Sequence, residues 1–197
     1  MNLPEYKRVS GRSFFLVLSG ADRVGKDWLA ERLHKRLSAT YTTLMKPMHL
    51  FDPDVDYEDP DTFDLHVAWL AAWRVQMLDL LEYYVQRSKL VPTRVIVDRL
   101  FPDEWAYARA MRRNTYDDAD TRNIDYHYAK AGARWMLCVE DLEVIRSRWD
   151  DTTRKLDLMS AVQDNFLEYR ARTEMESVTT NTRDPDVVEK AAKWLMP

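Results

Sequence analysis

Gly20-Ala21-Asp22-Arg23-Val24-Gly25-Lys26-Asp27 is the stretch whose residue types and spacing could do chemistry. Its glycines and lysine fit G-x-x-x-x-G-K, the spacing of a phosphate-binding P-loop. Gly20 and Gly25 lack a Cβ, so the loop can turn tightly and aim backbone N–H groups at one anion. A helix starting at Lys26 would add partial positive charge, and the Lys26 ammonium could reach the β/γ-phosphates of a nucleotide. The bland alternative is a surface turn that happens to hold a lysine. Only four glycines occur in the chain, and two fall at the required positions, which weighs against chance. Asp27 stands where such loops carry Ser or Thr, and Trp28 follows it.

The second candidate is Asp98-Arg99, where the apolar run Arg94-Val95-Ile96-Val97 ends on a carboxylate. Phosphoryl transfer asks for a phosphate cradle, magnesium, cations on the moving group, and a carboxylate near metal or nucleophile. Asp98 and Asp27 are the candidate magnesium ligands, partly through water, because magnesium favours oxygen and keeps several waters. A helix cap or turn is the plainer reading of Asp98. The Pro- and Asp-rich stretch 47–61 lacks the Gly and terminal Glu of a calcium loop and reads as a solvated loop. The four histidines are scattered and indicate no metal site.

These residues need elements to hold them. Residues 13–20 read as a strand buried on both faces. Trp28, Leu29, Leu33 and Leu37 mark a helix from Lys26 to Leu37. Thr42–Met45 is a second strand, stopped by Pro47. Residues 62 to about 87, without Gly or Pro, fit one long helix. Arg94–Asp98 is a third strand, and Pro102 precedes a helix from Asp103 to about Arg112. The polar, tyrosine-rich 114–131 is partly helical. Trp135–Val139 is a fourth strand, Leu142–Trp149 a helix, and Met159, Val162, Phe166 and Tyr169 mark another. Glu176–Thr180 is a fifth strand, and Pro185 opens a last helix. Alternation of this kind predicts a three-layer α/β/α domain with a five-stranded parallel sheet. Ligands then bind at the carboxyl ends of the strands, where the P-loop and Asp98 both fall.

A length of 197 residues fits a single domain spanning 1–197, with residues 1–12 as an N-terminal arm. A net charge of −4 argues against a broad nucleic-acid-binding face. No stretch has the apolar length of a membrane span, and no signal peptide precedes the first strand. Cys138 is the only cysteine, so no internal disulfide forms and a cytoplasmic location is expected. Set in an apolar run, Cys138 reads as a small buried hydrophobe.

The chain also resembles the thymidylate kinases, over nearly its whole length. Gly-Ala-Asp-Arg-Val-Gly-Lys looks like the loop of those members that carry a catalytic arginine inside it. Ala71-Ala72-Trp73-Arg74-Val75-Gln76 resembles the segment whose arginine contacts the pyrimidine base. Asp98-Arg99 followed by Trp105-Ala106-Tyr107 resembles the family's Asp-Arg-aromatic motif. Arg146-Ser147-Arg148 resembles the approach to the mobile LID, here about 149–157, and Phe166 and Tyr169 the helix after it. The resemblance implies the P-loop nucleotide kinase fold, ATP as phosphoryl donor and Mg2+. It implies catalytic roles for Arg23, Lys26, Asp98 and Arg99. ATP would be held by residues 20–28 (Gly20, Ala21, Asp22, Arg23, Val24, Gly25, Lys26, Asp27 and Trp28) with Arg146 or Arg148, and Asn181–Asp184 would wrap the adenine. Arg154 or Lys155 would lie in the LID. Asp22 would bond the acceptor sugar hydroxyl, Arg74 would face the base with Leu70 a turn before it, and Arg99 and Tyr107 would line the acceptor.

Departures from the family pattern are informative. Lys46-Pro47-Met48-His49 stands where the family has an arginine that grips the acceptor monophosphate, so Lys46 would serve as a point charge. Leu70 replaces a stacking Phe, and Asp103 stands near a family Ser. A Gly-Lys-Asp loop is similar to that of some viral nucleotide kinases. The expected activity is transfer of the ATP γ-phosphoryl group to a pyrimidine deoxynucleoside monophosphate. One alternative is a kinase of a nucleoside, or of a hydroxymethylated pyrimidine base in DNA. Another, of a different class, is a non-catalytic nucleotide-binding module. Exposed apolar surface on the Trp-rich helix would be consistent with a homodimer.

Overall fold

The computed structural model describes residues 12–43, 63–111, 118–148 and 153–197, with the backbone alone at 43, 63–70, 118–119 and 153–155. Five parallel strands form the sheet: β1 (Phe14–Ser19), β2 (Thr40–Thr43), β3 (Arg94–Asp98), β4 (Ala133–Val139) and β5 (Glu176–Asn181). Their order is β2-β3-β1-β4-β5, so β1 lies at the centre. Every residue of β1 is buried, which is why it reads as an unbroken apolar run. Leu18 lies opposite Asp98 in the β1–β3 register, and Ser19 lies opposite Leu137 in the β1–β4 register. That register puts the start of the glycine loop beside the end of β3.

Helices cover both faces. They are α1 (Lys26–Leu37), α2 (Phe63–Ser88), α3 (Phe101–Ala110), α4 (Asp118–Lys130), α5 (Leu142–Ser147), α6 (Thr153–Arg170) and α7 (Val187–Leu195). α1 packs with α7, and α3 packs with both α6 and α4. This is the expected three-layer α/β/α fold. α1 buries Leu29, Leu33 and Leu37 at helical spacing. α2 buries Trp73, Met77, Leu81 and Tyr84 and exposes Val75 and Tyr83. The Phe15 ring meets Tyr84 edge-on at 5.2 Å and Tyr128 at 5.5 Å, and the Tyr128 hydroxyl donates to the Met77 carbonyl at 2.7 Å. The sheet, α2 and α4 therefore share one aromatic core.

Several boundaries differ from the sequence reading. β2 begins at Thr40, because the chain pairs with β3 from there on; residues 44 onward lie outside the described part. α3 starts at Phe101, so Pro102 sits within its first turn. That position has no helical use for an N–H, so proline is tolerated there. α5 stops at Ser147. The last helix begins at Val187, because Asp184 first closes a turn: its carboxylate accepts from the Asp186 N–H at 2.9 Å and its carbonyl from the Val187 N–H at 3.0 Å. Of the expected LID, residues 149–152 lie outside the described part, and α6 starts at Thr153. No helix among the described residues is long and apolar enough to cross a membrane. Cys138 is fully buried, and burial pushes its thiol up to about 12, so it is packing rather than a nucleophile.

Candidate functional site

The loop between β1 and α1 is shaped by positive backbone angles. φ is 152° at Gly20, 67° at Arg23 and 91° at Gly25, which caps α1. A Cβ on Gly20 would meet the Cys138 carbonyl at 2.4 Å, and one on Gly25 would meet the Thr182 Oγ1 at 2.6 Å. Glycine is therefore required at both positions by sterics as well as by angle. Lys26 is buried at the start of α1, and its Nζ donates to the Ala21 carbonyl at 3.1 Å. The ammonium is thus folded back over its own loop, with further protons to give.

Asp98 and Asp103 lie behind this lysine. Asp98 is 5% exposed, and its Oδ1 has no hydrogen-bond partner among the described residues. Burial pushes its carboxyl up to about 7; the Lys26 charge pulls the other way and Asp103 adds to the push. Asp103 is 1% exposed and is likewise held above the ordinary carboxylate range by burial. Its Oδ2 accepts from the Ser19 hydroxyl at 2.5 Å and from the Leu100 N–H at 3.3 Å, which caps α3 and ties it to the end of β1.

Arg99 follows in the left-handed region, at φ 63°, with its N–H donating to the Leu18 carbonyl at 3.1 Å. Its guanidinium meets the Asp22 carboxylate at 2.6 Å. Burial opposes the Arg99 charge, but Asp22 and then Asp103 outweigh it, so the guanidinium stays charged. Tyr107 is buried beside the same pair; burial, then the Asp22 charge, drive its phenol upward.

A cavity of about 530 Å³ opens over the loop. Among the described residues, Arg23, Lys26, Arg99 and Arg148 line it as cations and Asp27 as a carboxylate, with Gly25, Trp28 and Thr182 beside them. Such a wall suits a polyanion. Trp28 is half exposed, with the Arg32 guanidinium 4.5 Å from the centre of its ring. Arg148 donates to the Arg23 carbonyl at 2.6 Å, and Thr182 Oγ1 to the Val24 carbonyl at 2.5 Å. Two consecutive loop carbonyls are thereby pinned by distant segments.

No family model matches the chain, and no curated protein sequence does. Solved structures do match. The YorR protein from Bacillus subtilis, solved in complex with phosphorylated GDP, aligns with a TM-score of 0.62 at 15% identity, over 91% of this chain and 91% of that one. Thymidylate kinase from Ehrlichia chaffeensis aligns with a TM-score of 0.60 at 14% identity, over 94% and 99%. Thymidylate kinase from Candida albicans aligns at 0.55 and 17% identity, over 93% and 91%. The chain shares the fold of these proteins, a five-stranded parallel sheet between helices. At these identities the likeness concerns the fold; the site stands on its own geometry.

Within that fold, Arg23, Lys26, Asp27, Trp28, Arg99 and Arg148 come together on one cavity, with Asp22 held against Arg99. Ala21 and Val24 are buried supports of the loop. Arg146 does not line the cavity; its guanidinium lies 3.9 Å from Glu143 on its own helix. Arg74 forms an ion pair with Asp120 of α4. Lys46 lies outside the described residues, as do the side chains of Leu70, Arg154 and Lys155. The resemblance places Thr182 only within the 181–184 segment expected around the adenine, and the structure sets it on the cavity wall; Glu140 is not singled out by the sequence. The only local signal for Thr182 was a hydroxyl just past a strand end. Thr182→Val keeps the shape and leaves the Val24 carbonyl without its donor. It is expected to cost about 1–3 kcal/mol of stability in a thermal melt, whereas Thr182→Ser should stay near wild type.

Proposed function

We propose that this protein is an ATP- and magnesium-dependent kinase, transferring the γ-phosphoryl group of ATP to a pyrimidine deoxynucleoside monophosphate. The observation that carries this reading is the convergence of Arg23, Lys26 and Arg99 on one cavity, with the buried Asp98 carboxylate behind Lys26. A binding module needs the loop and the lysine; it does not need a second arginine, or a buried carboxylate held near 7.

Each residue has a role in this reading. The loop N–H groups and Lys26 hold the β- and γ-phosphates. Arg23 offsets charge on the moving phosphoryl group, and Arg148 serves the donor. Asp22, braced by Arg99, accepts from the acceptor sugar hydroxyl, and Tyr107 packs beside them. Asp98 takes the proton from the attacking group or faces the metal. The donor set fits magnesium: Asp98 Oδ1 is an unpartnered oxygen beside the phosphate lysine, and Asp27 is a carboxylate on the cavity wall. Among the described residues no three His, Cys, Asp or Glu side chains form a metal cluster, so these two would hold the ion together with water and phosphate. When bound, magnesium supplies neutralisation of the β- and γ-oxygens.

Arg74 supports a second reading. Its pairing with Asp120 alters the group that the resemblance assigns to the base. A nucleoside, or a hydroxymethylated pyrimidine in DNA, is then the competing acceptor. Purified protein incubated with labelled ATP and magnesium against nucleosides, monophosphates, plain DNA and hydroxymethyluracil DNA separates the readings. Transfer to thymidine monophosphate is expected. Transfer to nucleosides alone or to modified DNA alone would establish the second reading, and ATP binding without transfer the module.

A further inference from the structure

Glu140 follows the last residue of β4, and its side chain is 0% exposed. Its Oε1 accepts from the Asn181 amide at 3.1 Å and from the Asp141 N–H at 2.9 Å. Its Oε2 lies 3.0 Å from Arg183 Nε and 3.7 Å from Arg148 Nη2, as ion pairs without hydrogen-bond geometry among the described residues. Its backbone N–H donates to the Gln163 Oε1 of α6 at 3.1 Å, which ties the main chain at this position to α6.

The two segments gripped by this carboxylate are the two that pin the P-loop. Arg148 reaches the Arg23 carbonyl, and Thr182, between Asn181 and Arg183, reaches the Val24 carbonyl. Arg148 sits just past the end of α5 with its side chain about a third exposed, so an unbraced guanidinium there would sample many rotamers. A fully buried anion 3.7 Å away favours the rotamer that reaches the Arg23 carbonyl, so that ordering precedes the arrival of a nucleotide. We propose that Glu140 is the positioning residue for the donor half of the cavity, holding Arg148 and the 181–183 segment against the P-loop backbone. The inference rests on the nucleotide-binding reading above. Glu140 does not itself line the P-loop cavity.

Glu140→Gln tests it, because Gln keeps the volume and the Oε1 acceptor and loses the charge. The Kd and KM for ATP are expected to rise about tenfold, with the acceptor KM unchanged within about twofold. In protein already carrying Arg148→Ala and Arg183→Ala, the same change is expected to add less than about twofold. An equal loss in both backgrounds overturns the proposal, as does unchanged ATP affinity in the single variant. A merely structural role would lower the thermal midpoint and raise both KM values together, which also overturns it. If Glu140→Gln does not fold, Glu140→Asp replaces it in the same cycle; it keeps the charge but withdraws it by one methylene, and a smaller effect of the same pattern is expected. ATP binding is measured directly, so the two readings fail differently. Wild-type protein that binds no ATP ends the nucleotide reading and this one with it; wild-type binding with additive variants ends only the role of Glu140.

Discussion

Asp98→Asn is expected to lower turnover by about 10³-fold, with the Kd for ATP changed by no more than about threefold. Asn matches the volume of Asp98 and removes both its charge and its capacity to take a proton. In the folded protein Asp98 is buried, and one of its oxygens has no partner among the described residues. A fold selected for stability alone would not keep such a group, so the cost points to a chemical use. Burial pushes the carboxyl from 3.8 up to about 7, which places a proton acceptor close to neutral pH.

The same shift fixes the sign of a stability effect. Between the unfolded value and about 7, the folded protein binds a proton that the unfolded chain does not. Asp98 therefore detracts least from stability at low pH, and stability falls as pH rises through about 7. Asn carries no such penalty. Without nucleotide or divalent cation, the thermal midpoint of Asp98→Asn should gain on wild type more at pH 8 than at pH 5. A variant that is inactive yet relatively more stable at high pH would bear out both parts. Near-normal turnover would remove Asp98 from the chemistry, and a midpoint difference equal at the two pH values would contradict the raised carboxyl.

How much was legible in the sequence follows from how local each signal is. α1 has the same bounds in sequence and structure, because its start lies in the loop motif and Leu29, Leu33 and Leu37 mark its buried face, although Trp28 of the expected stripe is exposed. α4 was read only as partly helical. Its buried face includes Ile124 and Tyr128 but also Asp125, which accepts from the Tyr169 hydroxyl at 2.8 Å, from Thr173 Oγ1 at 2.6 Å and from the Glu174 N–H at 2.6 Å. A carboxylate satisfied this way looks like a surface residue to any periodicity argument. α3 buries Asp103 and Glu104 in its first turn, with the same result. In the site, the 20–28 loop was readable because the phosphate cradle is contiguous. The resemblance reached the 181–184 segment, but the bond from Thr182 to Val24 was not legible, because the two lie 158 residues apart and nothing near Thr182 announces it. Glu140 was hidden for the same reason: its partners come from the residue after α5, from α6, from the end of β5 and from the turn that follows.

Arg23→Ala is expected to lower turnover by about 10³- to 10⁵-fold, while ATP binding stays within about threefold of wild type. The asymmetry follows from when the charge is needed. Lys26 and the loop N–H groups already satisfy the ground-state phosphates, so an exposed arginine on the cavity rim adds most when charge spreads over the transferring group. The backbone does not depend on the side chain. Arg23 lies at φ 67°, and its carbonyl is held by Arg148 whatever stands at the position. Ala would carry the same left-handed penalty as Arg, so the loss cannot be assigned to a collapsed loop. Gly relieves that penalty, worth about 1–2 kcal/mol, so Arg23→Gly should be as inactive as Arg23→Ala but no less stable than wild type. Arg23→Lys keeps a charge without the planar fork and should recover only part of the rate. Parallel loss of ATP binding and turnover in Arg23→Ala would make Arg23 an ordinary phosphate anchor, and the kinase reading would lose the residue that separates it from simple nucleotide binding.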